Sequence, residues 1–261
     1  MVYEYQYMTW KEIVDARDAG ALFVLTTGAV EQHGAHLPMT VDHIIPYELM
    51  KQRLSKYVDI VLMPPIIYGY RSQTTVGGGP RFPFTMRMSS EAIAFTIRDI
   101  VLELVRHGVD KLLISDGHLE NKYFVIDGIE RALQENHSGR DIKVMYTEWN
   151  DYVKPETLDK VFHGHFPGFE YEHAAINETS LMLALRPDLV KDVEYPDEFA
   201  ERYISYMVWP ASEDLATKNG ALSSAREACV ETGELFIKDI MEGMLRDIKI
   251  EFPDVKLCEE L

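Results

Sequence analysis

Two segments far apart in the chain carry residue types that bind divalent metal ions. Gly28-Ala29-Val30-Glu31-Gln32-His33-Gly34-Ala35-His36 leads on to Asp42, and Asp116-Gly117-His118-Leu119-Glu120-Asn121 forms the second segment. Each sets a histidine two residues from a glutamate. In extended backbone, side chains at i and i+2 point the same way, so each pair can reach a common site. Gly34 and Gly117 let the chain turn sharply beside the pairs. Two imidazoles and three carboxylates suit zinc, manganese or another borderline divalent ion, and five ligands with one bridging are enough for two ions. A single His–Glu pair in a loop is more often a hydrogen-bonded surface feature. Two such pairs, each following an apolar run, point instead to a shared metal site.

Those apolar runs set the positions of the pairs. Ala21 to Thr27, Val58 to Met63, Asp110 to Ser115 and Ile142 to Thr147 read as buried strands. Helical patterns lie between them at Pro46 to Lys56, Ser90 to His107 and Asn121 to Gln134. The second places Ile93, Ile97, Ile100, Val101 and Leu104 on one face. Thr9 with Glu12 forms a capping box for a helix over Trp10 to Ala19. Asn177 is placed to start a helix through SLMLAL, and Ser223 or Ser224 a long terminal one reaching about Asp247. Strand and helix in alternation predict a three-layer α/β/α fold with a mostly parallel central sheet, as one domain over residues 1–261. Sites in such sheets lie beyond the carboxyl ends of the strands, so the residues after Thr27 and after Ser115 should converge.

The 261-residue chain is 46% hydrophobic and 26% charged, with a formal net charge of −17. Such a balance supports a globular core and disfavours nucleic acid or an anionic membrane as partner. No apolar stretch approaches the ~20 residues of a membrane helix, and the opening MVYEYQYMTWKE has neither the basic nor the apolar part of a signal peptide. Cys229 and Cys258 cannot build a disulfide framework, so a cytoplasmic location is expected.

Five ordered elements carry a resemblance. GAVEQHGAHLPMTVD and DGHLEN are similar to the two metal-binding signatures of the creatininase family. YGYRSQTTVGGGPRFPFT, YEHAAINETSLMLA and GALSSAREA continue the likeness in order along nearly the whole chain. The resemblance implies two divalent ions, zinc or manganese. Glu31, Asp42 and His118 would hold one, and His33, Asp42 and Glu120 the other. It implies that Glu172, His173 and Glu178 line the substrate pocket, with His173 moving the proton because an imidazole titrates near neutrality. Glu178 could equally be a carboxylate capping the first turn of its helix. Ser72, Gln73, Gly78, Leu119, Trp149 and Phe169 match pocket positions, although a lone Trp is usually core packing. His36 matches a histidine that is not a primary ligand. His163 and His165 are expected to face solvent from a lid-like segment.

The chemistry so implied is opening of a small cyclic amide, creatinine to creatine or a close analogue, by attack of a metal-bridging hydroxide on the carbonyl. The family enzyme acting on creatinine has Tyr where this chain has Leu119, Trp where it has Phe169, and Gly where it has Phe84. Two polar aromatics are thereby lost from the pocket wall. The alternative activity in the family is opening of a cyclic polyol diketone, 3-dehydro-scyllo-inosose, by C–C cleavage; a non-catalytic metal-binding member is the alternative outside enzymes. The family also implies a homohexamer.

Overall fold

A computed structural model describes residues 1–72, 81–202, 204–210, 212–215, 217–255 and 257–258. Its centre is a five-stranded sheet in the order β1-β3-β2-β4-β5, formed by Val2–Glu4 (β1), Leu22–Thr27 (β2), Ile60–Leu62 (β3), Lys111–Asp116 (β4) and Lys143–Glu148 (β5). Every pairing is parallel, including Thr27 opposite Asp116 and Asp116 opposite Glu148. The expected strands are present: β2 starts one residue later, β3 is cut to Ile60–Leu62, and β4 and β5 each lie one residue further along the chain. Val2–Glu4, within the opening segment read above only as lacking the parts of a signal peptide, is an additional edge strand.

Alternation along each strand divides the interior in two. Leu22, Val24, Ile60, Leu62 and Leu113 point to the core covered by α2 (Val41–Glu48), α6 (Ile176–Leu185) and α7 (Val230–Glu251). Phe23, Leu25, Val61, Leu112 and Ile114 point to the core under α1 (Trp10–Asp18), α3 (Ser90–Arg106) and α4 (Lys122–Glu135). Both faces of a parallel sheet are thus covered, which gives the α/β/α sandwich its apolar, nearly unbroken strands.

The Thr9–Glu12 capping box is formed. Several boundaries differ from the sequence reading. Asn177 does not cap α6: the N-cap is Ala175, and Asn177 lies inside the first turn. The terminal helix begins at Val230, not at Ser223 or Ser224. The helix expected over Pro46 to Lys56 starts earlier, at Val41, and passes through a π-turn over Leu49–Arg53 and a 3₁₀ turn over Leu54–Lys56. Pro46 inside α2 obscured that start, since proline signals a helix beginning more often than an interior. α5 (Pro155–Val161) had no counterpart in the reading.

The helices after β2 and β4 leave to opposite faces of the sheet. A crevice opens at such a reversal, outside the carboxyl ends of the two strands. It lies between the two segments that carry the His–Glu pairs.

Candidate metal centre and substrate pocket

Two glycines bring the segments together. A Cβ on Gly28 would lie 2.5 Å from His43 N, and one on Gly117 only 2.0 Å from the Asp42 carbonyl oxygen. The start of α2 therefore packs directly on the ends of β2 and β4, with Asp42 in its first turn. The role of Gly117 is this close approach, whereas Gly34 takes a left-handed φ of 67°.

Asp42 is buried, and both histidines reach it. His33 Nε2 lies 2.9 Å from Asp42 Oδ1, and His118 Nδ1 lies 3.1 Å from Asp42 Oδ2. Glu31 Oε1 is 3.7 Å from His118 Nδ1 and 3.5 Å from His173 Nδ1. Glu178 Oε1 is 3.6 Å from His33 Nε2. Three sets have ligand atoms within 4.8 Å of one another: Glu31–Asp42–His118, His33–Asp42–Glu178 and Glu31–His33–His173. The first is the set the resemblance assigns to one ion. In the second, Glu178 stands where Glu120 was expected; the Glu120 carboxylate lies 3.5 Å from His118 Nε2, the far side of that ring.

The donor set fits cations. His33 Nδ1 lies 3.1 Å from the Glu31 carbonyl and His118 Nε2 lies 2.8 Å from the Tyr70 carbonyl. In the neutral tautomer that donates its single N–H to that carbonyl, the lone pair of the other nitrogen faces Asp42. A lone pair facing a carboxylate is repulsive unless positive charge lies between them. Glu31 Oε2 and Asp42 Oδ2 are buried with no hydrogen-bond partner among the described residues, and no lysine or arginine there pairs with Glu31, Asp42 or Glu178. Burial disfavours a charged His33, but Asp42 and Glu178 outweigh it and hold the ring well above its ordinary pKa. Glu120, Glu31 and Asp42 do the same for His118 against its burial. Burial would raise Asp42, yet His33 and His118 keep it below the usual carboxylate range. The cluster therefore takes up positive charge, as protons on imidazole or as metal ions.

His173 sits against this cluster, its ring 4.3 Å from that of His33. Its Nε2 lies 2.8 Å from the Gln32 carbonyl and 3.0 Å from Gln32 Nε2, while Nδ1 faces Glu31. Each neutral tautomer thus has a partner in place. Burial, reinforced by His33, lowers its pKa to about 4, so the ring is neutral at pH 7. His36 is buried against Thr179 Oγ1 at 2.8 Å and falls in none of the three sets.

A small cavity of about 40 Å³ opens beside the cluster, lined by Asp116, His118, Leu119, Glu148, Trp149, Asn150, Phe169, Glu172, Asn177 and Glu178 among others. Leu119, Trp149, Phe169, Glu172 and Glu178 are thus at its wall. Trp149 also belongs to the core, so both readings of it apply. Ser72 is buried, its Oγ has no hydrogen-bond partner among the described residues, and it does not line the cavity. Gln73 and Gly78 lie outside the described residues. His163 and His165 are exposed. Sequence reasoning did not single out Glu148, Asn150 or Asn177. Position at the end of a predicted strand was the available signal for the first two, and Asn177 was read only as a helix start.

A parallel α/β/α sandwich that gathers imidazoles and carboxylates at its topological reversal has the architecture of a metal-dependent hydrolase. The family described as creatinine amidohydrolase (Creatininase) matches residues 6–248. A creatinine amidohydrolase of Pseudomonas putida is 38% identical over 250 residues, spanning 94% of this chain and 96% of that protein. Among solved structures, a manganese creatininase superposes with a TM-score of 0.90 at 36% identity, covering 96% of this chain and 100% of that one. A creatininase variant of Zn–Zn type gives 0.90 at 37%, covering 95% and 97%. The chain belongs to the creatininase family, and is an enzyme of the metal-dependent hydrolase class.

Proposed function

We propose that the protein opens a small cyclic amide, creatinine or a close analogue, by metal-dependent hydrolysis in one domain spanning residues 1–261. The observation that carries this is the meeting of His33 and His118 on Asp42, beside a cavity walled by Trp149 and Phe169. Glu31, Asp42 and His118 would hold one divalent ion; His33, Asp42 and Glu120 the other, with Glu178 in reach. When bound, two such ions supply water activated near neutral pH and polarisation of the scissile carbonyl. His173 carries the proton to the departing ring nitrogen, passing it between nitrogens that each have a partner. Glu178 orients the site from the first turn of α6, where its Oε2 accepts from Ala174 N at 2.6 Å. Glu172 lines the pocket, held at 3.2 Å from Asn177 N.

Flat Trp149 and Phe169 suit a planar ring, and the carboxyls of Glu172 and Glu178 suit one that carries N–H groups. Assay of manganese- or zinc-loaded enzyme with creatinine, following creatine, tests the proposal. Turnover of 3-dehydro-scyllo-inosose with creatinine untouched would replace it with the C–C cleaving reading. A cytoplasmic homohexamer completes the proposal. Exposed Trp10, Phe84, Phe199 and Trp209 support assembly, and light scattering measures it. Both cysteines are free, in keeping with a reducing compartment. No described helix is long and apolar enough to cross a membrane.

A further inference from the structure

We propose that the side-chain amide of Asn177 holds the polar edge of the substrate ring and sets which small cyclic amides the pocket accepts, an inference that rests on the reading above. Asn177 lies in the first turn of α6, is 1% exposed and lines the cavity with Leu119, Trp149 and Phe169. Neither its Nδ2 nor its Oδ1 has a hydrogen-bond partner among the described residues. Its backbone N–H is engaged by Glu172 Oε2. The neighbours in the same turn behave differently: Glu178 Oε2 accepts from Ala174 N and Thr179 Oγ1 meets His36.

A buried amide with both ends unpaired does nothing for the fold, and an apolar side chain of the same volume would serve it better. A ligand in the cavity gives the amide its use. It presents a donor and an acceptor side by side, the complement of an N–H beside a carbonyl or of an amino group beside a ring nitrogen. The cavity's carboxylates, when ionised, only accept. Asn177 therefore adds a donor to the wall, and a ring without a polar edge leaves it unpaired.

Three ring ligands test this with metal-loaded wild type and Asn177→Leu, which keeps the branched heavy-atom skeleton and removes both polar atoms. KM for creatinine and the competitive inhibition constant of hydantoin, both with polar edges, should each rise roughly tenfold or more. The inhibition constant of N-methyl-2-pyrrolidinone, whose ring has no N–H beside its carbonyl, should stay within about twofold, and metal content and Tm should not fall. Asn177→Ala serves as the second variant and should show the same split. Equal weakening of all three ligands, or a creatinine KM unchanged in both variants, overturns the inference alone. A wild type that leaves creatinine intact overturns the functional reading and this inference with it.

Discussion

Two groups of buried carboxyls lie side by side beyond the ends of β2, β4 and β5, and they are satisfied in opposite ways. Around Asp116 the protein supplies its own donors. Oδ1 accepts from His118 N at 3.2 Å and Asn121 Nδ2 at 3.1 Å, and Oδ2 from Tyr146 OH at 3.2 Å. Tyr146 OH also lies 3.2 Å from Glu148 Oε1, and Lys122 Nζ completes the set at 3.0 Å from Glu148 Oε2. Around Asp42 the partners are two imidazoles, each with a backbone carbonyl at its other nitrogen. Burial is severe in both groups, so it does not mark the functional one. What marks it is the want of donors, which only a proton or a cation can meet.

The largest effect expected from that contrast is at Asp42. Asp42→Ala should abolish tight metal binding and lower kcat/KM on the order of 10³-fold or more, while the metal-free protein melts within a few degrees of wild type. Elemental analysis, turnover and calorimetry together check it; full metal occupancy in the variant would break the comparison. Chelation sharpens the same point. His33 and His118 are held above their ordinary pKa, so metal-free protein carries protons there near neutrality and metal binding expels them. Titration with zinc or manganese should release protons, with apparent affinity rising with pH. Release of none would show that the imidazoles are not where the ions bind.

Next in size is the choice between Glu120 and Glu178. Glu120→Gln should retain one ion per subunit and lose roughly 10- to 100-fold in metal affinity at the other site. Glu178→Gln should retain both ions and lose turnover, because one of its oxygens is committed to Ala174 N. The reverse stoichiometries would make Glu178 the ligand that its distance to His33 allows.

Much of this was legible before any coordinates, for physical reasons that also set the limit. Apolar runs such as ALFVLTT and DKLLIS read as strands covered on both faces, and a rule about parallel sheets then brings the residues after Thr27 and Ser115 together. Site roles came mainly from ordered motif resemblance, since spacing alone leaves a His–Glu pair ambiguous. Side-chain pairing across the fold was not legible. Nothing in EHAAINE says that Asn177 lines a cavity, or that Glu178 brings one oxygen within 3.6 Å of His33. The α2 start at Val41 was hidden by Pro46, and the Asp116–Tyr146–Glu148 group needs the register of β4 on β5, which no local pattern encodes.

The donor-rich group should show itself in stability instead of chemistry. Asp116→Ala strips the acceptor from His118 N, Asn121 and Tyr146, costing about 1–3 kcal/mol. At roughly 2–4 °C per kcal/mol for a chain of this size, Tm should fall by several degrees with both ions still bound. Metal loss without a change in Tm would erase the distinction between the two groups.

Glu172 gives the smallest and most specific test, because it lines the cavity that both groups border yet joins neither. Burial raises its carboxyl to about 8, against backbone hydrogen bonding that lowers it and with Glu178 raising it further. The folded state therefore binds a proton at Glu172 that the unfolded chain, titrating near 4.5, releases earlier. Between those values folding becomes less favourable at this group as pH rises, and the penalty is complete only above about 8. Glu172→Gln keeps an acceptor for Asn177 N and removes the titration. The variant's Tm relative to wild type should thus climb from pH 5 to pH 8 and level off beyond, by a few degrees in all. A difference that stays flat across that range would mean the carboxyl remains ionised in the folded protein, with a counter-charge reaching it from the metal side.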